Sequence, residues 1–564
     1  MTGPVPADPA GTPGRNYPFL ITDVDLKGRG YTAEEFFFSG TANSYDLPLP
    51  SVANDPPLPT ADKVVSEQPY RTRLTVYRPT DPARFNGTVF VEWTNTTANY
   101  EIPIWWQRNH EFLLREGYGY VAIAANHAAV HAEPNGLKNW SPQRYGSLNI
   151  PLVRQTTEPD DPWGHDDQLS YDIFAQGVKA VRAVPKVLGG LPVRRVIAGG
   201  HSRSAVHLGV YVNAVHPRAP IADGVMLLIA GRQVRTDLDI PVMKVLSETD
   251  YGGAYDEGTQ ISARQPDTDR FRTWWISGTT HGDHQSALSG AATYVRDFPN
   301  NPLPETDCNP PSLSRIPSHH VVSAAMDAIV KWIREGAAPA HSPLPEFTTA
   351  TPPALVRDEH GNALGGIRVA SFAVPIATDQ GTTSCGNFLV GVHVPFDTAT
   401  LQSQYPSHNS YVHAIKEVAR RNVRDGFLLK TDAAELIADA ESSLVGTGLI
   451  YGPRCANVST FLNNPSTSIL RDHTQTYYFS GGKQLLALLD QATRLVAEGY
   501  TAAQRSDDAA RKRKFEKAIQ SVRRYRDGVQ KLRRQGRADQ AIADLLVRYA
   551  DILIERISAE TKPA

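Results

Sequence analysis

Between residues 86 and 285 the chain alternates apolar, β-branched runs with helical stretches. That alternation leaves essentially one class of fold, a mostly parallel sheet with helices on both faces. Gly87–Thr94 (GTVFVEWT) is a continuous apolar run, as expected of a strand covered on both sides rather than wetted on one. Trp105–Glu116 reads as a helix and Tyr118–Ala125 as the next strand. After a long loop, Ser170–Leu188 has helical periodicity, followed by a strand at Arg195–Ala198 and a helix over Ser204–Val215. Strands at Gly224–Ala230, Val242–Leu246 and Arg272–Ser277 complete the series. Right-handed crossovers between successive parallel strands leave few topologies open.

At 564 residues the chain exceeds one ordinary domain, and its character changes along its length. Residues 1–24 are a Pro/Gly-rich leader expected to be flexible. Residues 25–345 hold the core, with 25–85 strand-rich and placed as an antiparallel extension of the sheet. Residues 346–480 read as an inserted extension that caps the site, containing the turn-and-strand passage HGNALGGIRV and a helical stretch from Ser407 to Ser443. Ahead of it, a helix is expected near Val321–Glu335. Residues 481–564 form a helical extension, with amphipathic stretches at Leu485–Ala497, Ala510–Arg534 and Ala538–Ile557 and Gly536 as the break between the last two. From residue 501 onward this tail has 16 Lys/Arg against 9 Asp/Glu. Such a stretch is read first as a solvated face on a small bundle, and next as a surface for an anionic partner.

The net charge of −2 gives no global field for nucleic acid, and none is expected as a partner. No apolar run reaches the roughly 18 residues that a membrane-spanning helix needs. The N-terminus has neither a basic nor an apolar signal region, which fits a cytoplasmic protein or the processed form of a secreted one. Three cysteines, Cys308, Cys385 and Cys455, are too few for a disulfide framework; Cys308 and Cys385 could pair, with free thiols as the alternative.

The chemistry gathers where strands end. Arg195–Ala205 (RVIAGGHSRSA) runs from a short apolar strand through a glycine pair to Ser202 and on into a helical pattern. A sharp strand–turn–helix junction of this kind lifts a serine hydroxyl above the sheet edge and tolerates only small residues two places either side. Gly200 and Ser204 occupy those places, so the pattern is G-x-S-x-S, with serine where glycine is usual. An alternative role for Ser202 is the N-cap of the following helix. A serine alcohol becomes a useful nucleophile only with a neutral imidazole as base and a carboxylate to hold its tautomer. Both follow in chain order, each just past a strand. SETD offers Glu248 and Asp250, and GTTHGDH offers His281 and His284. His281 is nearer its strand end, and Asp250 has the more usual spacing, with Glu248 close behind. One oxyanion donor is expected from the backbone N–H of Arg203, and a second from the loop Trp93-Thr94-Asn95-Thr96, chiefly Thr94 and Asn95. The HGDH run could ligate a metal, but the further clusters of a two-metal hydrolase are missing from the sequence, and GGHSRS lacks the lysine and spacing of a phosphate loop. No metal or organic cofactor is expected.

With these motifs in this order, the sequence resembles the large bacterial proteins known as α/β-hydrolase domain-containing, an esterase-like family. The resemblance runs from about residue 30 to 445 through EEFFFSGTANSYD, VEWTN, QRYGSLNIP, SYDIFAQ, GHSRSAVHLGVYVNAVHP, SETD, SGTTHGDH, GNALGGIRVASFAVPIAT and YPSHNSYV. It implies an α/β-hydrolase fold, Ser202 as nucleophile, His281 as base and an acid within SETD. The substrate expected is a small-molecule carboxylic ester. Acyl transfer to another alcohol, or binding without catalysis, are the other readings. Where Arg203 stands the family more often has glutamine, and the basic C-terminal helices lie beyond the resemblance.

Overall fold

The computed structural model describes residues 1–46, 61–153, 167–230, 233–251, 261, 263–298, 314–351, 353–382, 389, 391–443, 445–446, 470, 474, 482–538, 540–559 and 561. All three cysteines, and with them the pairing of Cys308 and Cys385, fall outside those residues. The strands are β1 (Tyr31–Asp46), β2 (Asp62–Pro79), β3 (Thr88–Trp93), β4 (Gly119–Ile123), β5 (Arg195–His201), β6 (Gly224–Leu228), β7 (Val242–Ser247), β8 (Phe271–Ile276), β9 (Ala377–Gln380) and β10 (Val392–Pro395). The longer helices are α1 (Ile104–Arg115), α2 (Ser170–Ala183), α3 (Arg203–Val210), α4 (His284–Asp297), α5 (Ser318–Glu335), α6 (His408–Arg424), α7 (Lys430–Ser442), α8 (Gly482–Gln504), α9 (Asp508–Arg534) and α10 (Gln540–Ala559).

The chain forms two compact units. The first comprises 1–277, 318–356 and 363–367, and the second 278–317, 357–362 and 368–564. An eight-stranded sheet in the order β1-β2-β4-β3-β5-β6-β7-β8 organises the first unit. β1 with β2 and β2 with β4 are antiparallel, and every later pairing is parallel. Successive strand residues point to opposite faces, and the central strand β3 shows both being covered. The Glu92 carboxylate accepts the Trp105 N–H at the start of α1. One residue on, Trp93 stacks on Phe174 of α2 with ring centroids 4.6 Å apart and meets His207 of α3 edge-on. α5 joins the Glu92 side, where the Asn109 amide donates to the His319 carbonyl and the Ser323 hydroxyl, both at 2.9 Å.

The leader expected to be flexible is hydrogen-bonded to the sheet edge. Thr2 and Phe37 exchange backbone bonds, and the Val5 N–H donates to the Glu35 carbonyl. Under it lies a buried ionic knot. Glu35 pairs with both Arg73 and Arg144, Arg73 also pairs with Glu101, and the Tyr145 hydroxyl donates to Glu35 at 2.8 Å. These side chains come from β1, β2, the QRYGS turn and the loop after β3, so the knot fixes that loop to the antiparallel edge.

The passage HGNALGGIRV forms no regular strand. It makes isolated bridges, Gly365 to Pro345 and Ile367 to Ile276, because Gly365 and Gly366 take φ of 71° and 67° and break the extended run. In the second unit, β9 and β10 form an antiparallel hairpin. α6 and α7 bury Tyr411, Val412, Ile415, Leu428 and Leu436 in one core. α8, α9 and α10 build another around Leu489, Phe515, Val522, Tyr525, Leu546 and Leu553, and Ala292 of α4 joins it.

Candidate active site

β5 ends in a turn whose backbone is visibly constrained. Ser202 has φ 56° and ψ −126°, a conformation that costs a non-glycine residue on the order of 1–3 kcal/mol and persists only where surroundings enforce it. Four bonds do so. The Ser202 N–H donates to the Leu228 carbonyl at the end of β6, and the Val206 N–H to the Ser202 carbonyl, both at 3.0 Å. The His201 N–H donates to the Ser204 hydroxyl at 2.9 Å, and that hydroxyl donates to the His201 carbonyl at 3.0 Å. Serine in the usual glycine place is thus more than small enough: it staples the turn. Gly200 has no such latitude, since a Cβ there would sit 2.5 Å from the Ser204 carbonyl oxygen. Gly199 is equally fixed, with Trp105 of α1 filling the space of its side chain. Beside the elbow, at the end of the paired strand β6, Ile229 has φ 59°, a rare conformation for a β-branched residue. Nothing in the apolar run around Ile229 announces it.

The predicted acids stand on the same rim. Glu248 and Asp250 lie in the helical turn directly after β7, both buried. Asp250 Oδ2 accepts the Ser247 N–H at 2.8 Å and the Ser247 hydroxyl at 2.6 Å, which fixes the carboxylate's orientation.

The loop after β3, where Thr94 and Asn95 were the expected donors, holds both backbone N–H groups in hydrogen bonds of its own. The Thr94 N–H donates to the Ile123 carbonyl at 3.3 Å and the Asn95 N–H to the Ile102 carbonyl at 3.2 Å. Parallel pairing with β4 extends through Thr94, and an Asn95–Ile102 bridge closes the loop; both consume those donors internally. Asn95 instead acts through its side chain, whose Nδ2 donates to the His201 carbonyl at 2.9 Å and ties this loop to the elbow. Thr96, next along, is buried, and its N–H makes no hydrogen bond to another described residue.

Two further groups beneath the rim, Asn126 and Glu92, have no sequence signature. Asn126 accepts from the Trp93 indole at 2.6 Å and donates to Asp167 at 3.2 Å, while its amide lies 3.3 Å from His207 Nδ1. Glu92 is fully buried, and burial pushes its carboxyl up to about 8 despite the Tyr120 hydroxyl and the α1 backbone N–H groups that it accepts. The regular apolar run of β3 hides it.

His281 follows β8 by 5 residues along the chain and belongs to the second unit, where it is buried. His284 is the first residue of α4, and the Asp283 carboxylate caps that helix by accepting the Ser286 N–H. Asp283 therefore has a structural task in HGDH. Ser202, Arg203, Thr94, Asn95, Glu248 and Asp250 all belong to the first unit.

A family model described as an alpha/beta hydrolase domain matches residues 1–438. Among solved structures, that of esterase Est22 is similar at 11% identity with a TM-score of 0.27, covering 54% of this chain and 81% of that one. An esterase from Pseudomonas putida ECU1011 is similar at 12% identity with a TM-score of 0.24, covering 45% and 75%. A prolyl endopeptidase is similar at 11% identity with a TM-score of 0.21, covering 50% and 34%. At such scores these likenesses say nothing of substrate. No curated protein matches the chain. Among the described residues, no helix is long and apolar enough to cross a membrane.

Proposed function

We propose, from the premise that this chain belongs to the alpha/beta hydrolase domain family, that it is a serine hydrolase cleaving a small-molecule carboxylic ester through an acyl-enzyme. The single observation that carries this reading is the Ser202 backbone, held at φ 56° at the C-terminal end of a central parallel strand. A helix N-cap has extended backbone and a side chain accepting from the next turn; Ser202 has neither. Strain retained at the rim where open α/β sheets bind ligands is best understood as presentation of the hydroxyl.

In this reading Ser202 Oγ attacks the ester carbonyl while His281 removes its proton, then returns the proton to the departing alkoxide. Asp250 orients the imidazole, because its carboxylate is already anchored by Ser247, with Glu248 as the other acid in place. The tetrahedral oxyanion is held by the backbone N–H groups of Arg203 and Thr96. One such donor is typically worth about 2.7–4 kcal/mol in the transition state. Water then repeats the attack on the acyl-enzyme. An ester is favoured as substrate by the family resemblance of the motifs.

A fluorophosphonate probe tests the nucleophile. Labelling of the wild type that disappears in Ser202→Ala is the expected result; an unlabelled wild type, or a label that survives the substitution, rejects the proposal.

A further inference from the structure

The second unit holds a buried acid–imidazole pair that the proposed mechanism leaves unused. His393 of β10 and Asp379 of β9 face each other in the hairpin register, with His393 Nδ1 2.9 Å from Asp379 Oδ1 and both residues at least 94% buried. A carboxylate oxygen only accepts here, so Nδ1 carries the proton. The same Oδ1 also accepts the Arg315 N–H at 3.2 Å, while the Asp379 N–H donates to Asn362 Oδ1 at 2.8 Å. Asp379, through its carboxylate and its backbone N–H, therefore ties together three segments distant in sequence: 314–316, the β9–β10 hairpin and the turn at Asn362.

Two of those segments hold the loop that contains His281. Next to Arg315, the Ser314 hydroxyl donates to the Gly278 carbonyl at 2.6 Å, at the start of the loop. Next to β10, the Leu389 carbonyl accepts the Gly282 N–H at 2.9 Å, at its end. Between them Gly391, at φ 63°, lies so close that a Cβ would sit 2.5 Å from the Thr280 methyl and 2.1 Å from the Gln380 carbonyl oxygen. Residues 278–282 are thus gripped on either side of His281 by segments that Asp379 and His393 lock to each other.

We infer that Asp379 and His393 are positioning residues for the His281 imidazole, acting through the grip of Ser314 and Leu389 on its loop. This rests on the reading of His281 as the base. Displacing a reacting group by about 1 Å costs on the order of 10²-fold in rate, so a loosened loop lowers kcat while the substrate contacts, and KM, stay in place.

The chemistry of the pair supplies a discriminating test. Asparagine places an amide N–H where Nδ1 stands, whereas phenylalanine removes the donor and keeps the volume. His393→Phe should lower kcat at least tenfold with KM within threefold, and should speed amide hydrogen exchange in the 278–283 segment about tenfold beyond any change in the α8–α10 core. His393→Asn should restore both to within about threefold of wild type. Should His393→Phe fail to fold, His393→Gln, whose amide falls at the Nε2 position and misses Asp379, is read in its place. Unchanged loop exchange in the folded variant overturns the inference, as does an equal kcat loss in the Asn and Phe variants. The exchange readout does not depend on catalysis. An unlabelled Ser202 in the wild type would sink the hydrolase reading and leave the exchange result to decide the positioning role.

Discussion

The rim around Ser202 and the C-terminal bundle follow opposite rules. In the bundle, local preference and final structure agree. Asp507 caps α9 by accepting the Ala510 N–H at 2.8 Å, and Gly536 at φ 65° ends the segment that follows. Apolar residues face one core, and Arg533–Asp544 and Arg526–Asp551 pair α9 with α10 across a wet surface. At the rim the preferences are overridden: a serine and an isoleucine at positive φ, and a glutamate with no exposure in the middle of a parallel strand. Where every level of description agrees, a sequence is specifying structure; where one is violated and held in place, the fold is supporting a task.

Substitutions on the two sides of that contrast should differ by orders of magnitude. The largest effect expected is at the acid. Asp250→Asn should reduce kcat about 10⁴-fold, the size seen when a triad loses its orienting carboxylate, while Glu248→Gln keeps most of the activity. Steady-state kinetics on a p-nitrophenyl ester settle it, and the reverse ranking would move the acid to Glu248.

Next in size is the ionic knot that secures the loop after β3. Glu35→Ala leaves Arg144 without its carboxylate partner in a buried site, and removing one member of a buried pair costs roughly 3–5 kcal/mol. Lys517→Ala, on the exposed face of α9, should stay within about 0.5 kcal/mol. Urea unfolding of both variants measures the contrast, and equal effects would erase it.

The smallest effect is a pH dependence. Glu92 has its carboxyl raised from 4.5 to about 8 by burial, so the folded state binds its proton more tightly than the unfolded chain. Its contribution is fully present below about pH 4.5 and is lost as pH rises toward 8, with a slope of at most about 1.4 kcal/mol per pH unit. Unfolding titrations at pH 5.5 and 8 should show the wild type losing stability relative to Glu92→Gln. A constant difference between the two proteins would mean that Glu92 stays ionised.

Much of the sheet could be read from the sequence because parallel strands buried on both faces are written as unbroken apolar runs, and Gly87–Thr94 became β3 with its ends moved by one residue. The sharp turn at Ser202 was legible for the same kind of reason, since a turn that admits only small neighbours leaves a local mark. The engagement of the Thr94 and Asn95 N–H groups was not. Whether the Thr94 and Asn95 N–H groups are available depends on Ile123 and Ile102, partners that only the folded pairing brings near. The Glu35–Arg73–Arg144 knot was hidden because each charge, taken in its own segment, looks like a surface residue. HGNALGGIRV reads as a turn and a strand; the turn forms around residues 358–361, while the paired glycines at positive φ reduce the strand to isolated bridges.

The central claim is that the strained serine becomes acylated. Mixing the protein with a molar excess of p-nitrophenyl butyrate and quenching within milliseconds should give a burst of p-nitrophenol near one equivalent, with the butyryl mass carried by the peptide that contains Ser202. A linear release with no adduct, or an adduct on a different residue, would contradict the account.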